Sequence, residues 1–214
     1  PKVAQPRGVA IQEHIMGRGL YHNLKRINAI DMTGTIATED TVLPLRIETS
    51  RPDFISRTVG ESVATYDGNN VRYDNPNEPR GLPRELESVF LSAFEFDGPL
   101  VDWKRKGHQT QMVGMEKQGN VLAWKLDLVQ SDGPHWELLI NSHTGDIVKA
   151  TLLDEQEQPA YLIFPSDYRE SSRIRFPHRI DYQTADGELL ASEVIDRVDV
   201  QMDEVKLTEG TVTH

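Results

Sequence analysis

The sequence predicts a mainly β protein of the α+β class, in which about eleven antiparallel strands form a sheet wrapped around a helix. Over most of the chain, apolar and polar residues alternate with a period of about two, which is typical of strands with one buried face. Short turns such as 67–70 and 186–187 separate these runs and favour antiparallel neighbours. No series of long helices alternates with the strands, so a parallel α/β fold is not predicted.

One helical period lies between two blocks of strands and predicts a helix over 83–96. Its apolar residues recur at helical spacing and share one face: Leu86, Val89, Phe90, Ala93 and Phe94. The following Asp97-Gly98-Pro99 predicts the end of the helix, because glycine allows the turn and proline cannot continue a helix. Such a one-sided helix must bury its stripe, and the sheet is the surface available for it.

The two ends of the chain differ from its body, so a single domain is predicted over 9–204. Residues 1–8 are polar with two prolines and predict a flexible arm, and residues 205–214 predict a tail. Between 9 and 27 the apolar spacing is helical in two pieces. Gly17 and Gly19 separate these pieces, because glycine weakens helices and permits turns.

The second block of strands has the clearest alternation. Apolar residues of one parity are Leu122, Trp124, Leu126 and Leu128, and later runs contribute Trp136, Leu138, Ile140 and Phe176. These apolar faces are the surface against which the helix is expected to pack. In the first block, Pro44 predicts an edge strand or a bulge, because proline cannot donate to a ladder.

Composition excludes several classes of function. The 214 residues include 34 acidic and 23 basic side chains, and the net charge of −11 argues against nucleic acid and weakly against anionic membrane surfaces. The absence of cysteine excludes disulfides, thiolate metal sites and cysteine nucleophiles. No apolar run reaches the roughly 18 residues of a transmembrane helix. No leader is visible, so the sequence predicts either a cytoplasmic protein or a removed leader.

No catalytic or metal-binding pattern is recognisable, so we expect no enzyme activity, no metal and no cofactor. The seven histidines lack the spacing of metal ligands. We expect His108, His135 and His143 to lie exposed at turns or strand ends, and His178 to face inward with Phe176. Acidic residues are expected on the solvent faces of strands. Neither a nucleophile motif nor a phosphate-binding loop occurs.

Several short motifs resemble the outer-membrane lipoprotein-sorting protein family, the LolA-like periplasmic carriers. The most specific is the segment 94–102, which contains Phe-Asp-Gly-Pro-Leu-Val-Asp. The others lie at 13–19, 24–34, 66–68, 106–108, 113–116, 166–170 and 176–177, so the resemblance covers about residues 9–200. Three departures leave the ligand open. Gly17-Arg18-Gly19 replaces an expected Gly-Gly pair, Ser171-Ser172-Arg173 replaces an expected glycine turn, and the segment 208–214 lacks an expected closing apolar segment.

The resemblance implies an incomplete antiparallel β-barrel whose helices cover the open side and enclose an apolar cavity. It also implies a non-enzymatic periplasmic carrier for the acyl chain of a lipid or lipoprotein, with a membrane-bound donor or acceptor protein as a further partner. Burial of about 0.8 kcal/mol per CH₂ would supply the affinity. The residues expected to form the cavity and its lid are Leu86, Val89, Phe90, Phe94, Leu122, Trp124, Leu126, Trp136, Leu138, Ile140 and Phe176.

The same apolar side chains are consistent with a filled core, because a lipid cavity and a core use the same residue types. The alternative function is therefore a periplasmic interaction or sensory module that has no lipid ligand and acts through its surface. The basic run 104–106 is interpreted as a solvated turn, with a docking point for an acidic partner or a lipid head group as the other interpretation.

Overall fold

The fold is one open antiparallel sheet of twelve strands, seen in a computed structural model that describes residues 6–75 and 81–203. The helices are α1 (Pro6–Arg18), α2 (Tyr21–Arg26) and α3 (Arg84–Ser92). The strands before α3 are β1 (Ile27–Ala37), β2 (Val42–Ser50), β3 (Phe54–Val59), β4 (Ser62–Tyr66) and β5 (Val71–Tyr73). The strands after α3 are β6 (Gln109–Gln118), β7 (Val121–Val129), β8 (His135–Asn141), β9 (Ile147–Leu153), β10 (Pro159–Ser171), β11 (Ile174–Thr184) and β12 (Leu189–Met202).

The order of the strands shows how the two blocks join. It runs β5-β4-β3-β2-β1-β12-β11-β10-β9-β8-β7-β6, so each block is a meander. The first and last strands, β1 and β12, pair in the middle of the sheet, from Ile30 opposite Val200 to Ala37 opposite Ser192. β5 and β6 form the two edges, so the sheet is an incomplete barrel. The predicted fold class is confirmed.

A single cluster of buried apolar residues joins the three helices to the sheet. Leu24 of α2 and Leu86 of α3 are 0% exposed, and Ile11 of α1 is 6% exposed. They share this cluster with residues of both meanders: Leu45, Val59, Leu126, Leu128, Ile140, Ile174, Phe176 and Ile195. The helices therefore cover one face of the sheet, and α3 lies on the side where the core forms.

Helix α3 is shorter than the predicted 83–96, because the residues after it bond elsewhere. It begins at Arg84 and ends at Ser92. Ala93 O accepts a hydrogen bond from Gln130 Nε2 at 3.0 Å, and Phe96 N–H donates to Asp53 Oδ1 at 3.1 Å. Phe94 therefore reaches the core from irregular chain rather than from the helical stripe.

The start of α1 also differs from the prediction. The helix begins at Pro6, so residues 6–8 of the expected arm are helical. Residues 1–5 and the whole tail 205–214 lie outside the described residues. The division into arm, domain and tail therefore stays a prediction.

Pro44 does not lie on an edge strand, because β2 lies between β1 and β3. Pro44 lies one residue before Leu45, whose pair with Val59 is at the end of the β2–β3 ladder, and the Pro44 carbonyl accepts from Gly60 N–H at 2.9 Å. The side of Pro44 that faces β3 thus lies beyond the end of that ladder. Its nitrogen faces the same side as this carbonyl, at the end of the β2–β3 ladder, where a missing N–H interrupts no further pairing and proline is tolerated in an interior strand.

Helix α1 packs on the β8–β9 turn through two glycines and a buried histidine. A Cβ at Gly17 would lie 2.0 Å from Thr144 O, and one at Gly145 would lie 2.2 Å from Glu13 O, so both positions require glycine. His14, which is 6% exposed, donates from Nδ1 to Gly145 O at 2.8 Å. Burial, and secondly the Arg18 guanidinium, lower the pKa of His14 to about 4.

Replacing His14 by asparagine tests this contact, because the amide keeps a donor but does not titrate. The pKa of His14 in the folded protein is about 4, below the unfolded value of 6.5, so its stabilisation is complete above about pH 6.5 and is lost as the pH falls towards about 4. Across that window the wild type should lose about 3 kcal/mol more unfolding free energy than His14→Asn. Urea unfolding of both proteins at several pH values measures the difference, and parallel pH profiles would contradict the assignment.

Candidate functional site

An apolar cavity of about 250 Å³ lies between the end of α3 and the strands β7 to β9. Its cover comes from residues between 90 and 99, and the opposite wall comes from the strands. Its lining residues are Phe90, Ala93, Phe94, Glu95, Pro99, Leu128, Gln130, Trp136, Leu138, Ile147 and Ala150. Only Glu95 and Gln130 among them are polar, so the cavity suits a hydrocarbon with one polar end.

Aromatic contacts hold the cover in place. The Phe90 ring stacks on Trp136 with centroids 5.9 Å apart and meets the edge of Tyr182 at 5.7 Å. The Phe94 ring meets Phe96 edge to face at 6.4 Å. Aromatic pairs at such separations contribute about 0.5–1.5 kcal/mol beyond the burial of their area. Both Phe90 and Phe94 are thus fixed at the border of the cavity.

Hydrogen bonds organise the polar end of the cavity around Gln130. Its Oε1 accepts from Trp136 Nε1–H at 2.8 Å. Its Nε2 donates to Ala93 O and to Glu95 Oε1, each at 3.0 Å. One amide therefore connects the floor of the cavity, through Trp136, to the chain that forms its cover.

His108 supports this polar end and is not the exposed histidine that the sequence predicted. It is 7% exposed, and its Nδ1 accepts from Ser131 N–H at 2.9 Å. Its Nε2 therefore carries the proton, which it donates to Glu95 Oε1 at 2.5 Å. Glu95 Oε2 makes no well-aligned hydrogen bond, but it lies 2.5 Å from the Lys106 ammonium, which compensates its charge.

The predicted site residues lie in different parts of the structure, and only some of them line the cavity. Those that line the cavity are Phe90, Phe94, Trp136 and Leu138. Those buried in the filled core are Leu86, Leu126, Ile140 and Phe176. Val89 and Trp124 pack partly buried against that core, and Trp124 Nε1 donates to Glu13 Oε2 at 2.7 Å. Whether any of these residues binds a ligand stays a prediction.

Leu122 does not join the other predicted residues, which corrects the sequence analysis. It is 47% exposed and lies next to the β6–β7 turn, past the covered part of the face. Alternation along a strand identifies a face but not how far the cover extends. Leu128 was placed on this face by the sequence but was not among the predicted cavity residues, and Gln130 and Ala150, which also line the cavity, carried no signal in the sequence.

A buried ion cluster ties α3 to the sheet. Arg57 of β3 donates from Nη1 to Glu87 Oε1 of α3 and from Nη2 to Glu193 Oε1 of β12, each at 2.6 Å. The Tyr182 hydroxyl donates to Glu193 Oε2 at 3.0 Å. None of the four side chains belongs to a residue more than 5% exposed. These buried carboxylates differ from the solvent-exposed ones that the sequence predicted, and no sequence pattern indicated the cluster.

Charge compensation makes this cluster tolerable in the core. Burial alone would lower the pKa of Arg57, but the carboxylates of Glu193 and Glu87 outweigh burial, and the pKa is raised. Burial, and then the Glu193 carboxylate, raise the pKa of Tyr182 well above its usual value. Tyr182 therefore remains a neutral donor, and Arg57 remains a cation.

The remaining histidines provide no metal centre in the described ranges. His178 is 7% exposed and donates from Nδ1 to Ile195 O at 2.6 Å, so its predicted inward orientation is confirmed. Across residues 6–75 and 81–203, no three His, Asp or Glu side chains are grouped to hold a metal ion. In the same ranges no helix combines the length and apolar character needed to cross a membrane.

Comparison with solved structures identifies the fold. A LolA superfamily protein from Nitrosomonas europaea matches with a TM-score of 0.63 at 10% identity, over 91% of this chain and 94% of that chain. A putative outer membrane lipoprotein-sorting protein domain from Vibrio parahaemolyticus matches with a TM-score of 0.61 at 9% identity, over 94% of each chain. A DUF1329 family protein from Desulfovibrio piger matches with a TM-score of 0.61 at 9% identity, over 96% of each chain.

These matches show that the chain has a LolA-like fold, which confirms the resemblance in the sequence. At identities of 9–10% they establish the fold alone. No family model matches the sequence, and no curated protein sequence matches it.

Removing Arg57 should be strongly destabilising, because Glu87 and Glu193 would stay buried without its charge. We expect Arg57→Met to lower the unfolding free energy at neutral pH by about 3–5 kcal/mol in urea titrations. The matched control is the triple variant Arg57→Met, Glu87→Leu, Glu193→Leu, which should recover most of that loss because no buried charge of the three remains. A loss below about 1 kcal/mol in the single variant would contradict the role given to the cluster.

Proposed function

We propose that the protein is a non-enzymatic periplasmic carrier that holds the acyl chain of a lipid or lipoprotein between α3 and the strands β7 to β9. The observation that carries the proposal is the apolar cavity of about 250 Å³ under Phe90 and Phe94. The fold supports it, because structures with the same architecture bear the names LolA superfamily protein and lipoprotein-sorting protein domain.

The lining of the cavity fits an acyl chain with one polar terminus. Each methylene group that leaves water for the apolar walls contributes about 0.8 kcal/mol. Leu128, Leu138 and Ile147 supply aliphatic wall, and the polar end carries Gln130 and Glu95. A hydroxyl or amide N–H at one end of the ligand would find amide and carboxylate oxygens as acceptors there, because both N–H bonds of Gln130 already donate to Ala93 O and Glu95 Oε1. The rest of the ligand chain needs no polar partner.

The cavity is too small for a long acyl chain unless its cover moves. About 250 Å³ is below the roughly 300–1,000 Å³ of common ligand sites, so a long acyl chain requires the cover to move. The cover is anchored on both sides by ion pairs: Glu87 to Arg57 at 2.6 Å, and Asp97 to Lys25 at 2.5 Å. We propose that the last turn of α3 and the residues up to 95 move outward between these two anchors, which requires the contacts of Gln130 with Ala93 and Glu95 to open. The cavity then lengthens while the first turns of α3 stay attached.

A second function, the interaction or sensory module, is favoured by a different observation. Leu86, Leu126 and Ile140 are 0% exposed and belong to one continuous cluster of buried apolar residues. A module of this kind needs a rigid core and no ligand, and the cavity would then be a packing defect of the core. This alternative predicts that the purified protein binds no lipid.

Two measurements on the purified protein separate the alternatives. Mass spectrometry of an organic extract identifies any acyl lipid that copurifies, and titration with an apolar fluorescent probe detects a vacant cavity. The carrier predicts a copurified acyl lipid or saturable probe binding of the delipidated protein. If neither a copurified lipid nor probe binding is found, the carrier function is contradicted and the interaction or sensory module is favoured.

Truncating the Phe94 side chain should show whether this residue borders a ligand cavity or fills a packed core. Phe94→Ala should lower the unfolding free energy by less than the about 3–5 kcal/mol of a core phenylalanine, because one side of its ring already faces the cavity. It should also change the affinity of the apolar probe. The matched control is Phe176→Ala, since Phe176 is 4% exposed and does not line the cavity. Phe176→Ala should show the full loss of stability and unchanged probe binding.

A substitution that fills the cavity should have the opposite effect on binding. Ala150 lies in the wall, so Ala150→Phe places a ring where the chain would bind and should abolish probe binding. Overpacking should cost about 1–3 kcal/mol of unfolding free energy, which leaves the fold intact for the comparison. Undiminished probe binding by Ala150→Phe would show that the probe binds elsewhere.

A further inference from the structure

A second concave site lies outside the cavity. It is a groove of about 650 Å³ between α1, the α1–α2 junction and the turn at 101–107. Its apolar wall is formed by Ile11, Ile15, Met16, Leu20, Tyr21 and Trp103. The volume falls within the roughly 300–1,000 Å³ of ligand sites, and the groove is larger than the cavity under α3.

The groove is lined by positive charges, whereas the net charge of the whole chain is negative. The protein has a net charge of −11, yet no residue that lines this groove is acidic, and Arg7 and Lys104 are cationic. Both cations lie over the Trp103 ring, at 5.1 Å and 5.3 Å from its centroid. In the part of the chain that the structure describes, neither cation has a carboxylate within ion-pair distance. The groove is therefore complementary to an anion.

The carboxylate of the adjoining turn does not supply that anion. Asp102 is already paired with Lys25 at 3.0 Å and with Arg105 at 2.9 Å. The basic run predicted at 104–106 is also divided, because Lys106 lies 2.5 Å from Glu95 and only Lys104 lines the groove. Of the two interpretations of that run, a docking point for a negatively charged group fits Lys104.

Backbone strain places a leucine in the wall of the groove. Leu20 has φ 73° and ψ 145°, a conformation that residues other than glycine rarely adopt. The chain is forced there by the end of α1, where Gly19 and Leu20 donate to Met16 O at 3.3 Å and Ile15 O at 3.1 Å. Leu20 remains 42% exposed, so this strain gains no core contact. Strain of this kind concentrates at functional sites.

We propose that this groove binds a single-chain anionic amphiphile, a fatty acid or a monoacyl phospholipid. The acyl chain lies along Ile15, Met16 and Leu20, and the anionic head lies between Arg7 and Lys104. This groove shares no lining residue with the cavity under α3, so the proposal for the groove does not depend on the carrier function.

Tryptophan fluorescence distinguishes the two sites, because Trp103 lines the groove and Trp136 lines the cavity. Dibromostearate, a fatty acid that quenches nearby indoles, is titrated below its critical micelle concentration. We expect a saturable component of the quenching that Trp103→Phe removes and Trp136→Phe leaves in place, whereas an acyl chain bound in the cavity under α3 would add a separate component that Trp136→Phe removes. Quenching that only Trp136→Phe removes would overturn the groove proposal and support the cavity. Quenching by vesicles or micelles alone would also overturn it, in favour of a membrane surface.

A pair of charge variants tests the anionic head. Arg7→Gln with Lys104→Gln should weaken binding of dibromostearate about tenfold, as expected for the loss of charge-assisted contacts. Binding of the neutral dibromostearate methyl ester should not change. The matched control is Arg84→Gln with Lys149→Gln, which removes the same charges from cations over Tyr73 and Phe164, away from the groove. Equal weakening in the control pair would overturn the proposal.

The variant Leu20→Gly distinguishes a binding role of Leu20 from a purely structural one, because only a binding role predicts a loss of ligand affinity without a loss of stability. Glycine accepts φ 73° without strain, so the melting temperature should stay equal or rise, while dibromostearate affinity should fall about threefold to tenfold. A lower melting temperature with unchanged affinity would overturn the role of Leu20. Displacement by unlabelled stearate or by lysophosphatidylglycerol then separates a carboxylate head from a phosphate head, and displacement by neither would overturn the proposal.

Discussion

The ladder between β1 and β12 is the constraint on which the rest of the structure depends. Each meander is built from short turns, but this ladder must bring Ile30 opposite Val200 across nearly the whole chain, at the entropic cost of closing a long loop. Once formed, it places Arg57 of β3 within reach of Glu193 of β12. It also places the helix inserted between the meanders across the covered face, where Glu87 completes the buried cluster.

The strands could be predicted almost completely, because alternation is a local property that the sequence carries residue by residue. The end of α3 could not, since Asp97-Gly98-Pro99 fixes only the latest position at which a helix can stop. The actual end at Ser92 depends on hydrogen bonds to Asp53 and Gln130, which belong to other elements. Pro44 shows the same limit, because its tolerance depends on where β3 ends.

The apolar faces that border the candidate site were predictable, because a one-sided stripe and an alternating strand both specify a buried face. Which of their residues line the cavity was not, since Leu86, Leu126 and Ile140 lie in the core instead. The polar part was not: Arg57 and Glu193 are 136 residues apart, and no local pattern marks two charges that will meet in a core. His108 and Glu95 form their contact in the same way. The fold thus follows from short-range periodicity, whereas the features that hold the cover in place follow from long-range pairing.

Helix α1 connects two parts of the structure. It packs on the β8–β9 turn through a neutral His14, and it forms one wall of the groove beside Trp103. A ligand that binds only when α1 is docked must lower the proton affinity of His14, and acidification must weaken its binding by the same factor. If the groove binds its amphiphile only while α1 is docked, protonation of His14 and binding of the amphiphile oppose each other, and a more acidic medium favours release because it loosens one wall of the groove.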